Sequence, residues 1–77
     1  MPGEEVSQAK QQLKLIIDEY LSEKDVELVL AACDFADLAH SGITRKSGEP
    51  YVLHPIAVSS ILAHMRLDSQ TLMAALL

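Results

Sequence analysis

Positive charge is scarce in this sequence. Six Lys and Arg stand against eleven Asp and Glu, a formal net charge of -5 over 77 residues. An acidic surface repels DNA and anionic lipid, so broad nucleic-acid binding and membrane-surface binding are excluded as leading roles. Cysteine is scarcer still. Cys33 stands alone, which excludes an internal disulfide framework and a Cys-rich zinc finger. The opening Met1-Pro2-Gly3-Glu4-Glu5 has no basic region and no apolar stretch, so it is no signal peptide. The longest apolar runs, Leu28 to Cys33 and Leu72 to Leu77, are six residues each, against about 20 for a membrane span. Strand-like alternation of useful length and internal repeats are absent as well. A soluble protein in a reducing, cytoplasmic setting is the expectation.

What is present is helical periodicity. Apolar residues make up 49% of the chain and charged residues 22%, the balance of a globular domain and not of a disordered tail. Seventy-seven residues form one small domain or part of one, burying roughly 60% of the unfolded surface. The expected fold class is all-α, with helices at about 4–21, 23–40, 55–66 and 69–77. The first shows Leu13, Ile16, Ile17, Tyr20 and Leu21 on one stripe. Ser22 is placed to cap the second, with Asp25 three residues on. Val26, Val29, Leu30, Cys33, Ala36 and His40 are its inward positions, and Gly42 suits the left-handed conformation past its end. Pro55 suits the first position of the third helix, putting His54 at or beside the N-cap. Val58, Ile61, Leu62 and Met65 are the expected stripe there. Asp68 caps the fourth helix, whose apolar members are Leu72, Met73, Leu76 and Leu77.

The charge is divided unevenly. Residues 1–44 carry three Lys against nine acids, a net of -6, whereas residues 45–77 carry three cations against two acids, a net of +1. The cations Arg45 and Lys46 fall in a long polar loop, from Ser41 to Leu53, that also holds Ser47, Gly48, Glu49 and Tyr51. Long loops on a rigid scaffold often carry function. Arg45 offers a planar guanidinium that stacks on a base or forks onto phosphate, and Lys46 a mobile point charge. Ser47 and the N–H groups around Gly48 are candidate anion donors. His54, held beside Pro55, suits a metal ligand or an acid–base group. The ordinary readings stand beside these: a solvated Arg-Lys pair, a capping His54, a partly buried His40, an exposed His64 and an inert, buried Cys33. The histidines and Cys33 lack zinc-finger spacing, and no H-E-x-x-H, G-x-S-x-G or Walker motif occurs.

The string from His40 to Pro55, HSGITRKSGEPYVLHP, changes the balance. With Phe35-Ala36, Ala39, Val58, Ile61-Leu62-Ala63, Leu67-Asp68, Thr71 and Ala74-Ala75-Leu76-Leu77, it resembles the start of the Rel/Spo family, closest to its bifunctional SpoT-type branch. The likeness covers nearly all of residues 10–77. It implies an all-helical HD-type domain that depends on Mn²⁺ and removes pyrophosphate from the 3′ position of (p)ppGpp. It implies that His54 is one metal ligand. The remaining ligands in the family are a His-Asp pair, which directly follows Ala-Ala-Leu-Leu, and a later Asp. It implies that Arg45 packs on the guanine ring, with Lys46 and Ser47 in the same nucleotide-binding loop. Where the family usually carries Gln, two residues before Arg45, this chain has Ile43.

Several expectations follow. Residues 1–77 are read as the N-terminal part of such a hydrolase domain, cut before the His-Asp doublet, with a parent that also synthesises (p)ppGpp. The catalytic set is incomplete, so the 77-residue chain is expected to be inactive and to hold no Mn²⁺ by itself. Leu72, Met73, Leu76 and Leu77 are expected to lack partners and to drive self-association through the third and fourth helices. A different class remains open: a non-catalytic helical module for association or regulation, from a relative with a degenerate hydrolase domain.

Overall fold

The computed structural model describes residues 2–77, the Pro2 side chain excepted. Among them four α-helices follow in order: α1 Pro2–Ile17, α2 Glu23–Ala39, α3 Leu53–His64 and α4 Ser69–Leu76. The all-α expectation holds. The described residues contain no strand, only one isolated bridge, Thr44 with Pro50, in the loop. The principal packings are α1 on α3, α3 on α4, α4 on α2 and α2 on α1. The helices thus close a ring, and the core lies inside it.

That core is small and continuous. Leu13 and Ile17 of α1, Val29 and Cys33 of α2, Ile56 of α3, and Leu72 and Leu76 of α4 are almost wholly removed from solvent. Ser59 joins them as a buried polar group, its hydroxyl donating to the Leu72 carbonyl at 3.4 Å and so tying α3 to α4. Burial drives the Cys33 thiol up to about 11, the neighbouring Lys10 opposing and Asp34 and Asp37 assisting. The thiol is therefore neutral at physiological pH and inert.

Both predicted caps form. Ser22 Oγ accepts from the Asp25 N–H at 3.1 Å, and Asp68 Oδ1 accepts from the Thr71 N–H at 3.0 Å. The bonds from Thr71 hold the Asp68 carboxyl below its usual value, because a hydrogen-bonded carboxylate favours its charged form. α1 ends four residues before the expected boundary. Glu19 and Tyr20 donate instead to the carbonyls of Ile16 and Ile17, a three-residue tightening common at helix ends. The Tyr20 hydroxyl then donates to the Leu67 carbonyl at 2.7 Å, and Arg66 pairs with Glu19 at 2.8 Å while lying over the Tyr20 ring. Arg66 itself adopts φ 61, the left-handed position that ends α3. Its N–H reaches the Ala63 carbonyl, and the Leu67 N–H reaches Leu62, a Schellman arrangement on a non-glycine residue.

α3 departs most from expectation. It begins at Leu53, so Pro55 is its third residue and His54 its second, not a cap. The Leu53 and His54 N–H groups donate to the carbonyls of Pro50 and Tyr51, which starts the helix before the proline. First-turn N–H groups have no intrahelical partner, so a proline is tolerated there too. The inward stripe is also different. Pro55, Ile56, Ser59 and Ala63 are buried, whereas Ile61 and Met65 are exposed and Val58 and Leu62 only half-buried. A helix apolar on nearly every side carries no phase for periodicity to find.

The expected bare face of α4 is likewise corrected. Leu72 and Leu76 belong to the core of these four helices, Met73 is half-buried, and only Leu77 projects. Other strongly exposed apolar side chains lie on α2, at Phe35 and Leu38, 65% and 77% exposed. With Leu28 and Ala31 they form a second apolar stripe at three- and four-residue spacing on α2.

Two outcomes follow from this core. Leu72→Ala should cost about 2–5 kcal/mol, a large share of the stability of so small a domain. Thermal unfolding followed by circular dichroism should lose its cooperative transition, and a shift of only a degree or two would show that α4 does not close the ring. Cys33 should react with a thiol reagent only as fast as the chain opens. Because the unfolded thiol ionises near 9 and the folded one near 11, Cys33 favours the fold fully below pH 9 and this contribution is lost as pH rises toward 11. Cys33→Ala should flatten that part of the stability profile.

Candidate functional site

The segment between α2 and α3 has no core of its own, so its shape is set by turns. At the end of α2 the Ile43 N–H donates to the His40 carbonyl at 3.0 Å across Ser41 and Gly42. Gly42 has φ 79, a conformation glycine enters without steric cost, and it meets the expectation for the residue past the helix. Further out, the Arg45 N–H donates to the Glu49 carbonyl at 2.9 Å and the Gly48 N–H to the Arg45 carbonyl at 2.8 Å. Gly48 has φ 91. This is a miniature hairpin whose three tip residues are Lys46, Ser47 and Gly48, the geometry of a turn closed by a left-handed glycine.

Arg45, Lys46 and Ser47 therefore sit together on an exposed tip. Lys10, Lys14 and Arg66 are paired with Asp34, Asp18 and Glu19. Among the described residues neither Arg45 nor Lys46 forms such a pair, so both cations remain available. The expected anion donors are partly committed. The Gly48 N–H is spent on Arg45, and the Ser47 hydroxyl donates to Glu49 Oε1 at 3.2 Å.

His54 lies apart from that tip. Its exposed side chain lines a hollow of about 340 Å³ with His40, Tyr51, Val58 and Leu77. α3 supplies His54 and Val58, the end of α2 supplies His40, and α4 closes the wall with its last residues. Arg45, Lys46 and Ser47 do not line this hollow. The backbone links the two places: the Tyr51 N–H donates to the Ile43 carbonyl at 2.9 Å, and the His54 N–H to the Tyr51 carbonyl at 3.1 Å. His64, on the far end of α3, faces a different groove beside α1. Among the described residues no three His, Cys, Asp or Glu side chains are assembled to hold a metal.

Sequence reasoning left His40 without a role. Its ring stands 4.8 Å from that of Tyr51, tilted by 47°. The signal was available only as a histidine at the end of an inward stripe, eleven residues before an aromatic, and no periodicity joins those two positions.

The comparisons with known proteins cover this same region. Residues 32–77, from the middle of α2 to the end of α4, match the HD domain. The chain is 54% identical over 65 residues to the guanosine-3′,5′-bis(diphosphate) 3′-pyrophosphohydrolase of Vibrio cholerae, covering 84% of this chain and 9% of that protein. It is 52% identical over 65 residues to the bifunctional (p)ppGpp synthase/hydrolase SpoT of Escherichia coli, with the same coverage. Identity to the bifunctional (p)ppGpp synthase/hydrolase RelA of Mycobacterium tuberculosis is 42% over 59 residues, 77% of this chain and 8% of that protein. The chain thus spans about 9% of the length of the Vibrio cholerae and Escherichia coli relatives. More than half of its residues match the family and the described helices agree with it, so this chain belongs to the HD domain family, among its SpoT-type relatives.

Proposed function

We propose that this chain is the guanine-nucleotide-binding segment of a (p)ppGpp 3′-pyrophosphohydrolase and supplies one metal ligand, His54. The parent would carry (p)ppGpp synthetase activity as well. The observation that carries the reading is the arrangement of the loop. Two cations without a salt-bridge partner, Arg45 at the base and Lys46 at the tip of the hairpin, stand on a segment whose returning arm leads directly to the turn bearing His54. In this reading the flat Arg45 guanidinium lies on the guanine ring, where charge and stacking act together without a full hydrogen-bond match. Lys46 takes a phosphate as a mobile point charge. The Ser47 hydroxyl turns from Glu49 to the ligand.

The metal of this reading is a divalent ion, Mn²⁺, for which imidazole and carboxylate are suitable donors. The described residues do not fit it by themselves. His54 alone cannot define an open coordination site. The end of α4 walls the same hollow as His54, which supports a ligand set that the family's His-Asp pair completes. The absence of a membrane-length apolar helix among the described residues is consistent with the cytoplasmic setting proposed for the parent. The acidic scaffold argues against DNA as a partner.

A second reading, a non-catalytic association module, is favoured by one separate observation. The outer face of α2 exposes Leu28, Phe35 and Leu38. Self-association through α3 and α4 retains only Ile61, Met65 and Leu77 as exposed apolar anchors. Sedimentation equilibrium separates the two surfaces: Phe35→Ser should reduce any dimer more than Met65→Ser if α2 is the contact.

The nucleotide reading is tested by calorimetric titration of the chain with ppGpp. Arg45→Ala should weaken binding by about tenfold, in keeping with loss of a cation–π contact and its stacking. His54→Ala should leave nucleotide affinity unchanged, because it removes a metal ligand and not a base contact. Equal affinities for Arg45→Ala and the unaltered chain would remove the assignment. The 77-residue chain should release no pyrophosphate from ppGpp in the presence of Mn²⁺. Measurable release would mean that its ligand set is complete after all.

A further inference from the structure

His40 is half-buried at the end of α2 and borders two hollows at once. One, of about 290 Å³, runs under the stem of the loop beside Val6 and Ile43. The other contains His54. Its ring and that of Tyr51 form the partition between α2 and the start of α3. The same two residues are joined through the backbone. The His40 carbonyl accepts from Ile43, the Ile43 carbonyl from Tyr51, and the Tyr51 carbonyl from His54. Three hydrogen bonds thus run in series from the end of α2 to the second residue of α3, and the ring contact closes them into a loop.

The consequence is mechanical. α3 has no side-chain cap at Val52, so its first turn is held by what surrounds it. Val52, Pro55 and Ile56 fix one side of that turn in the core. The side bearing His54 faces the hollow, where the Tyr51 backbone is the acceptor for its N–H. Tyr51 is itself 39% exposed and packs its ring on His40. A change of the His40 ring therefore reaches His54 through Tyr51, whose N–H in turn bonds Ile43 at the stem of the hairpin.

We propose that His40 is a positioning residue, which by the tilted contact of its ring with Tyr51 holds the first turn of α3 and so fixes the His54 imidazole at the rim of its hollow while anchoring the nucleotide loop. The proposal rests on the reading of His54 and Arg45 given above for its functional meaning, and on the ring pair and hydrogen-bond series for its physics. His40 acts here as a flat ring and a backbone acceptor, not as a metal ligand. An aromatic ring of similar width should replace it.

The test is amide hydrogen exchange of the 77-residue chain, resolved by nuclear magnetic resonance, with the His54 ring signals followed in parallel. In His40→Ala the amides of Tyr51 and His54 should exchange about three- to tenfold faster, the range expected for loss of one aromatic pair. The His54 ring signals should move, and the amides of α1 and α4 should keep their protection. His40→Phe should restore both Tyr51 and His54. Tyr51→Leu should reproduce the alanine result from the other side of the pair, and it provides the test if His40→Ala fails to fold. Unchanged exchange at Tyr51 and His54, acceleration spread evenly over all four helices, or no rescue by Phe would each overturn the proposal. Adding guanosine 5′-diphosphate to the unaltered chain distinguishes the underlying reading. No shift at the Arg45 and Lys46 amides would count against the nucleotide site, yet leave the exchange result standing as evidence on His40 alone.

Discussion

An eight-residue helix does not hold itself together in water, because nucleation fixes several residues for few hydrogen bonds. α4 therefore exists only because Leu72 and Leu76 are taken into the core. Everything at the hollow depends on that burial. Were α4 to leave, α2 and α3 would lose the helix that packs on both of them, and the wall beside His54 would go with it. The Ser59 hydroxyl on the Leu72 carbonyl and the Asp68 cap fix where α4 starts and how it sits. The cluster of Glu19, Tyr20, Arg66 and Leu67 then joins the end of α1 to the turn leading into α4. Arg66 keeps a left-handed backbone at a position where glycine would be easier. Its guanidinium contacts offset part of that strain.

The loop is governed by a different economy of interactions. From Ser41 to Glu49 every residue is exposed, so apolar burial contributes little. Order there comes from backbone hydrogen bonds, two left-handed glycines and the contact of His40 with Tyr51. Each is individually modest, about 0.5–1.5 kcal/mol for a hydrogen bond or an aromatic pair. They act in series, so the tip and the start of α3 share one support. A rigid helical ring thus carries a lightly held polar segment, the division of labour expected where chemistry is placed on a scaffold.

Much of the fold was legible because its signals are local. Ser22 and Asp68 announced two helix starts by side-chain chemistry alone, and both bonds form. Leu13, Ile17, Val29 and Cys33 were readable as inward positions because each pair repeats at a four-residue spacing on its helix. α3 was not readable in phase. Leu53, Ile56, Ala57, Val58, Ile61, Leu62 and Ala63 surround it with apolar groups, and only packing against α1 and α4 decides which of them are buried. Pro55 misled for a similar reason: first-turn tolerance does not say which of the first positions a proline takes. The residues of the candidate site were found through a family resemblance carried by the string around Arg45 and His54. Composition and spacing left the ordinary readings open. The His40–Tyr51 pair escaped because rings eleven residues apart meet only after two turns have folded.

The distribution of charge sets the loop apart from its scaffold. The scaffold up to Thr44 carries a net of -6, and its long-range field repels any extended polyanion. Screening limits that field to about 8–10 Å at ordinary ionic strength. Beyond α2 the hairpin carries Arg45 and Lys46 outside the salt bridges that engage Lys10, Lys14 and Arg66, with Glu49 as its own acid. In the nucleotide reading proposed above, a small anion meets this local pair at short range, while a long one meets the acidic helices as well. A flat guanidinium next to a flexible ammonium further favours a ligand with one planar and one phosphate-bearing end. The same separation keeps both cations out of the hollow that His54 lines. The short backbone path through Tyr51 joins the two places, so a change in that path moves one relative to the other.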